Sequence, residues 1–141
     1  MLTGIDINEV TDYISPKDTG EPKTVFKLGV IPNVVMASIK DQVRIELLDL
    51  VNEDGKTPVK TNLGELQLEY IRFGLKGWEN YKGKNGNLIE FTKDNRNIAG
   101  MTVPIASNES INCLADSMVL ELANKIQSLN TLTEKEIKNS A

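Results

Sequence analysis

From Ile111 to Leu129 apolar side chains return at spacings of three and four, passing through Leu114 or Ala115, Met118, Leu122 and Ile126. That rhythm matches the 3.6-residue turn of an α-helix, so the segment predicts a helix with one apolar stripe. Ser107 or Asn108 stands where its N-cap belongs. A stripe of this length has to be covered, so the rest of the chain must supply an apolar surface for it. The chain has 141 residues, enough for one domain that buries roughly two-thirds of the surface its unfolded form exposes.

Thr24 to Val30 alternates, with Val25 and Lys27 on one face and Phe26, Leu28 and Val30 on the other, which predicts a half-buried strand. Pro32 ends that run. With Asn33 as N-cap, Met36, Ile39, Val43, Leu47 and Leu50 predict an amphipathic helix over about 33–51. Asn52 to Gly55 reads as a turn, and the Asn62-x-x-Glu65 spacing resembles a capping box that opens a second helix. This second helix is apolar on more than one side, through Leu66, Tyr70 and Phe73 and through Leu68, Ile71 and Leu75, so it is expected at the centre of the domain, ending at Gly74 or Gly77.

Asn85-Gly86 lies between Trp78–Tyr81 and Leu88–Phe91 and predicts a β-hairpin, because Asn-Gly accepts the positive φ angles of a type I′ turn. Residues 92–106 read as irregular, with Gly100 and Pro104 as breakers. Thr133-x-x-Glu136 predicts a short helical turn after Asn130. These elements predict an α+β fold: three helices packed on a small antiparallel sheet made of the strand at 24–30 and the hairpin at 78–91. An extended N-terminal arm is expected over 1–23, a single domain over 24–130 and a short C-terminal tail or helical turn over 131–141. The expected core holds Phe26, Leu28, Ile39, Val43, Leu47, Leu66, Tyr70, Phe73, Trp78, Leu114, Met118, Leu122 and Ile126.

Composition narrows the chemistry. The chain has no histidine and one cysteine, so the commonest general base and metal ligand is missing and no internal disulfide can form. Cys113 falls one residue from the helical stripe, where a free thiol acts as a small hydrophobe. Gly77 with Gly83-Lys84 fails as a phosphate loop, because the glycine spacing is wrong and Asn85 stands where Ser or Thr binds magnesium. The Asn52–Gly55 turn fails as a calcium loop, with Leu50 and Thr61 at the terminal ligand positions. Gly74-Leu75-Lys76-Gly77 matches a GxxG loop of RNA-binding domains but serves better as a helix cap. Carboxylate pairs such as Asp12 with Asp18 or Glu53 with Asp54 have no marked spacing and read as solvated loop residues. The residues therefore point away from an enzyme, and no catalytic, metal-binding or cofactor-binding residue is assigned.

A net charge of −4 and a pI near 4.9 argue against general nucleic-acid binding, which needs a basic field. No apolar run approaches the 18 or so residues of a membrane span, and Met1 to Asp6 lacks the basic-then-apolar order of a signal peptide. Residues 72–96 nevertheless carry 6 basic and 3 acidic side chains, and Arg72, Lys76, Lys82, Lys84, Lys93 and Arg96 are interleaved with Phe73, Trp78, Tyr81 and Phe91. Two readings compete. The aromatics are core anchors and the lysines a solvated rim facing an acidic partner, or bases of a single strand stack on the rings. The first is favoured, since the chain has few other aromatics from which to build a core. The arm contains Leu2, Ile5, Ile7, Val10, Tyr13 and Ile14 among polar residues, more apolar surface than a compact monomer covers. Leu2, Ile5, Ile7 and Tyr13 of the arm and Lys82 and Lys84 beside the turn are thus the expected partner-binding residues, with the arm adding a strand to a neighbour's sheet edge as one route.

The blocks Glu21-Pro22-Lys23-Thr24-Val25-Phe26-Lys27-Leu28-Gly29-Val30, Phe73-Gly74-Leu75-Lys76-Gly77-Trp78-Glu79-Asn80-Tyr81, Asn85-Gly86-Asn87-Leu88-Ile89-Glu90-Phe91 and Leu120-Glu121-Leu122-Ala123-Asn124-Lys125-Ile126, with Leu132 to Glu136, are ordered and spaced over about residues 20–138. In this the chain resembles a family of small proteins encoded among the virion-morphogenesis genes of tailed bacteriophages, and the Gly-Leu-Lys-Gly-Trp-Glu-Asn-Tyr block is the specific part. The resemblance implies head, neck or tail assembly, with other phage structural or assembly proteins as partners, in the virion or in the host cytoplasm during assembly. It implies no catalytic residues. It leaves open a component kept in the particle, a tail-assembly chaperone that departs, and self-association.

Overall fold

The computed structural model describes residues 1–2, 4–41 and 59–139, and the fold is α+β. Strands β1 (Val10–Tyr13) and β2 (Val25–Gly29) precede helix α1, described over 33–41. Helix α2 (Val59–Gly74) runs straight into β3 (Leu75–Glu79), and β4 (Lys93–Ile98), β5 (Met101–Ala106), α3 (Asn108–Asn112) and α4 (Asp116–Asn139) follow. One antiparallel sheet has the order β1-β2-β3, and β4 with β5 forms a second, two-stranded one.

The strand at 24–30 forms as expected. Phe26 and Leu28 are buried and pair across the ladder with Trp78 and Leu75 of β3. On the other side of β2, β1 pairs in register from Val10↔Gly29 to Tyr13↔Phe26. Residues 10–13, expected in a free arm, are thus an edge strand of the chain's own sheet. In α1 the buried side chains are Val35 and Ile39, with Ile31 just ahead of the helix. Pro32 O accepts the first helical bond from Met36 N at 2.9 Å, so Pro32 occupies the cap position assigned to Asn33. Val43, Leu47 and the rest of the helix expected to 51 lie outside the described residues.

Helix α2 is central, as its two-sided apolarity requires. Tyr70, Ile71 and Phe73 are buried, and the helix packs on α4 and β5. It has already begun at Val59, so Asn62 is not its N-cap. The Asn-x-x-Glu spacing also fits the interior of a helix, where residues three apart share a face. The hairpin expected at 78–91 is replaced by a loop. A single bridge, Lys82↔Leu88, closes it, and residues 88–91 form no strand. The true hairpin is β4–β5, which the sequence presents as irregular. Its two-residue turn is Ala99-Gly100, with φ of 50° and 80°, the positive pair of a type I′ turn. Pro104 fits within β5 because in a two-stranded ribbon every strand is an edge, where alternate N–H groups face away from the partner.

The long helical stripe is cut in two. Ser107 caps α3 by accepting from Ser110 N at 3.1 Å, and the chain reopens at Ala115, whose carbonyl accepts from Met118 N and Val119 N. Asp116 then sits in the first turn of α4, where a carboxylate complements the helix dipole. Cys113, in the break, is exposed and not part of the core. Helix α4 continues through Asn130 to Asn139, so residues 131–139, expected as part of a short tail or a separate helical turn, extend this helix. The core gathers Phe26, Leu28, Ile39, Tyr70, Phe73, Leu114, Leu122 and Ile126, while Leu66, Trp78 and Met118 are partly buried against it. Ile31, Val35, Ile71, Leu75, Ile105, Ala106, Ile111 and Ala123 join it among the described residues.

Two glycines of α2 give a matched test. A Cβ on Gly74 would lie 2.5 Å from Ile126 Cγ2 and 2.9 Å from Cδ1, whereas one on Gly64 meets nothing within 4 Å. Gly74→Ala is expected to destabilise by about 1–3 kcal/mol through overpacking. Gly64→Ala is expected to be neutral or to stabilise by up to ~1 kcal/mol, since it changes helix propensity alone. The midpoints of urea unfolding measure both, and equal midpoints would show that α4 does not close on Gly74.

Candidate functional site

The six residues expected to bind a partner lie in two places. Leu2 and Ile7 are exposed and Ile5 is half-buried in the stretch before β1, whereas Lys82 and Lys84 are exposed on the loop after β3. Tyr13 is drawn inward. Its hydroxyl donates to Glu121 Oε2 at 2.9 Å, its ring lies 5.8 Å from Lys125 Nζ, and both its burial and the Glu121 carboxylate raise its pKa. Lys17 approaches the same Glu121 at 3.7 Å, so β1 is fastened to α4 and Tyr13 belongs to that fastening.

Ahead of β1 the chain makes a tight turn. Glu9 N donates to Asp6 O at 3.2 Å and Asn8 N to Asp6 Oδ1 at 2.9 Å. The turn leaves Ile7 exposed, and Val10 and Ile14 at the two ends of β1 are exposed as well. On the outer face of the sheet Lys27 Nζ reaches Asp12 at 2.7 Å and Glu79 at 3.7 Å, a charge row across all three strands. After β1, Asp18 organises the chain into β2. Its carboxylate accepts from Gly20 N at 2.9 Å and Thr24 N at 2.7 Å, and these bonds hold its pKa below the usual carboxylate range.

The basic segment is not one patch. Glu69, a buried carboxylate on α2, pairs with Arg72 one turn on and with Arg96 of β4 at 3.0 Å, and the Arg96 guanidinium lies over the Phe73 ring at 5.5 Å. Two of the six expected cations are thereby occupied. Lys76 is half-buried, and burial together with the nearby Lys93 lowers its pKa. Lys93 at the start of β4 remains exposed, as do Lys82 and Lys84 on the loop after β3, and no ion pair involves any of these three among the described residues.

The loop carrying Lys82 and Lys84 is built on aromatic contacts. Trp78 meets Tyr81 and Phe91 edge to face, each with centroids 4.9 Å apart, and Phe26 meets Tyr81 at 5.7 Å. Trp78 Nε1 donates to Ile89 O at 2.8 Å and Tyr81 Oη to Cys113 O at 2.6 Å. Gly83 N donates to Asn87 O, Asn87 N to Asn85 Oδ1, and Gly86 takes a φ of 82°. The rings are therefore committed to one another, and the loop shows its lysines and Leu88 to solvent. The exposure of Leu88 was hidden in the sequence, where the Asn85-Gly86 turn signal assigns it to a hairpin strand.

Among the described residues no group of three or more His, Cys, Asp or Glu is gathered as a metal site, and no helix is long and apolar enough to cross a membrane. No protein-family model, curated protein or solved structure matches the chain. The arrangement is one of surfaces: an apolar, acidic stretch before β1 and a basic loop after β3.

Asp18 gives a pH test. A carboxylate with a lowered pKa stabilises the fold above its unfolded value, and that contribution is lost as pH falls through the folded value. Its NMR titration is expected to fall below the ordinary aspartate midpoint near 3.9, and Thr24 amide protection should decline over the same acidic range. An unshifted midpoint would show that the turn does not rest on the carboxylate.

Proposed function

We propose that this chain is a non-catalytic bacteriophage morphogenesis protein that works through protein contacts, as a structural accessory of the head, neck or tail. The observation that carries the docking part is the run of exposed apolar side chains, Leu2, Ile7, Val10 and Ile14, in and around the edge strand β1 of a domain whose other large hydrophobics, among the described residues, are mostly buried or half-buried. Exposed apolar groups rimmed by charge mark surfaces that another protein covers. The morphogenesis context is supported by the sequence blocks described above, which span most of the domain.

The rival use of the basic segment, stacking a single strand of nucleic acid, needs open ring faces. Phe26, Trp78, Tyr81 and Phe91 contact one another, and Arg72 and Arg96 are paired with Glu69, so the protein-contact reading uses what remains exposed.

Mass spectrometry of purified particles from the phage carrying this gene is expected to find the protein. Its absence from mature particles would sink the structural role and favour an assembly chaperone that leaves. A variant lacking residues 1–9 is expected to keep the circular dichroism spectrum of the full chain, because β1, Tyr13 and the buried Ser15 are retained, and to lose incorporation. If that variant unfolds, residues 1–9 belong to the core; if it is incorporated normally, they are not the docking element.

A further inference from the structure

The two exposed surfaces are opposite in charge and alike in carrying an uncovered apolar side chain. Residues 1–9, before β1, contain Asp6 and Glu9 and no lysine or arginine, whereas residues 80–89 contain Lys82 and Lys84 and no acidic residue. Leu2 is 68% exposed and Ile7 55% on the first surface, and Leu88 is 67% exposed on the second. We infer that the acidic stretch before β1 of one copy docks on the Lys82–Leu88 loop of a second copy of this chain, head to tail. The inference rests on the docking role proposed above and names the partner.

Topology places these surfaces apart within one chain. In the order β1-β2-β3, β1 and β3 are opposite edges of the sheet. Val10 pairs with Gly29 and Leu75 with Leu28, so the start of β1 and the start of β3 lie at the same end. The loop leaves from the other end, after Glu79, which pairs with Val25. Acidic stretch and basic loop therefore leave diagonally opposite corners of the sheet, separated by two strand spacings of about 4.8 Å and by the length of a strand, roughly 15 Å. Neither can readily cover the other in its own chain. Between copies the contact uses different surfaces on the two partners, so it is heterologous, and each copy keeps one unused donor and one unused acceptor for the next.

Charge selects this pairing. With a net charge of −4 two copies repel in most orientations, and a basic loop facing an acidic stretch is an arrangement that attracts. Such attraction between exposed groups is screened over about 10 Å at 0.1 M salt. Leu2 and Ile7 against Leu88 supply the part of the contact that salt does not screen.

The test uses the purified full chain with no other phage protein present, followed by sedimentation velocity against protein concentration at low salt. The wild-type chain is expected to grow past a dimer as concentration rises. Asp6→Lys with Glu9→Lys, and separately Lys82→Glu with Lys84→Glu, should each leave a folded monomer, with circular dichroism unchanged. Mixing the two variants should restore association, because each reversed surface then faces a reversed partner. A monomeric wild-type chain, or association that neither variant weakens, overturns the inference. A monomer that is still incorporated into particles would leave the docking role intact with a different protein as partner. Association in the tube without incorporation would strike that role alone.

Discussion

Helix α2 passes into β3 without an intervening loop, and the junction is Gly74. Because Gly74 has no Cβ, Ile126 of α4 can close on the backbone there, and Ile126 is fully buried as a result. That contact joins the sheet to α4. The direct transition sets the direction of β3, β3 sets the register of β2 through Phe26↔Trp78, and β2 in turn seats β1. A side chain at this position would have to push Ile126 and α4 outward, away from Phe73 and Leu75.

Polar groups then fix what the apolar core alone would leave loose. Glu69 holds Arg72 on its own helix and Arg96 on β4, so the second sheet is tied to α2 by a carboxylate that is buried but paired on both sides. Asn130, within α4, does similar work. Its side-chain nitrogen donates to Ile126 O at 2.8 Å and its oxygen accepts from Ile31 N at 3.0 Å, which ties the connection after β2 to the helix. Thr92 N donates to Ser110 Oγ at 2.8 Å and Ser107 N to Thr92 O at 3.1 Å, so the entrance to β4 is held by the cap of α3.

What could be read in the sequence was the periodic part. The alternation at 24–30, the two-sided apolarity of α2, its end at Gly74 and the Ser107 cap all follow from residue type and spacing. The misreadings occur where tertiary contacts outweigh a local signal. Asn85-Gly86 does make a tight turn, but Trp78 and Phe91 turn inward toward each other and Leu88 points outward, so the flanks never become a ladder. The β4–β5 hairpin lacks period-two apolarity because most of β4 faces solvent, and Ala-Gly is a less familiar type I′ pair than Asn-Gly. The Thr133-x-x-Glu136 spacing suggested a separate turn after Asn130, yet α4 runs through that point, with the Asn130 side chain bonded inside the helix and across to Ile31. For the candidate site, the exposure of Leu2, Ile7, Lys82 and Lys84 was legible from polarity and breakers. The inward turn of Tyr13 was not, since it depends on Glu121, distant in sequence.

The removal of Arg72 and Arg96 from the basic segment also bears on the surface. Counted along the sequence, residues 72–96 look like a broad cationic face. In the fold, Glu69 pairs with both arginines and offsets part of their charge, and Lys76 is half-buried with its stem against Gly29. Apart from Lys93 at the start of β4, the exposed unpaired cations of this segment are those of the loop, where Lys82 and Lys84 flank Gly83 and Leu88 is bare. A small charged tip beside an apolar residue favours a short complementary segment over a long polyanion, because a polyanion gains from many cations in a row and here the row is interrupted. The acidic stretch before β1 is such a segment, with Asp6 and Glu9 set on one turn and Ile7 between them. The same burial that stabilises the α2–β4 contact therefore narrows the range of partners the surface can accept.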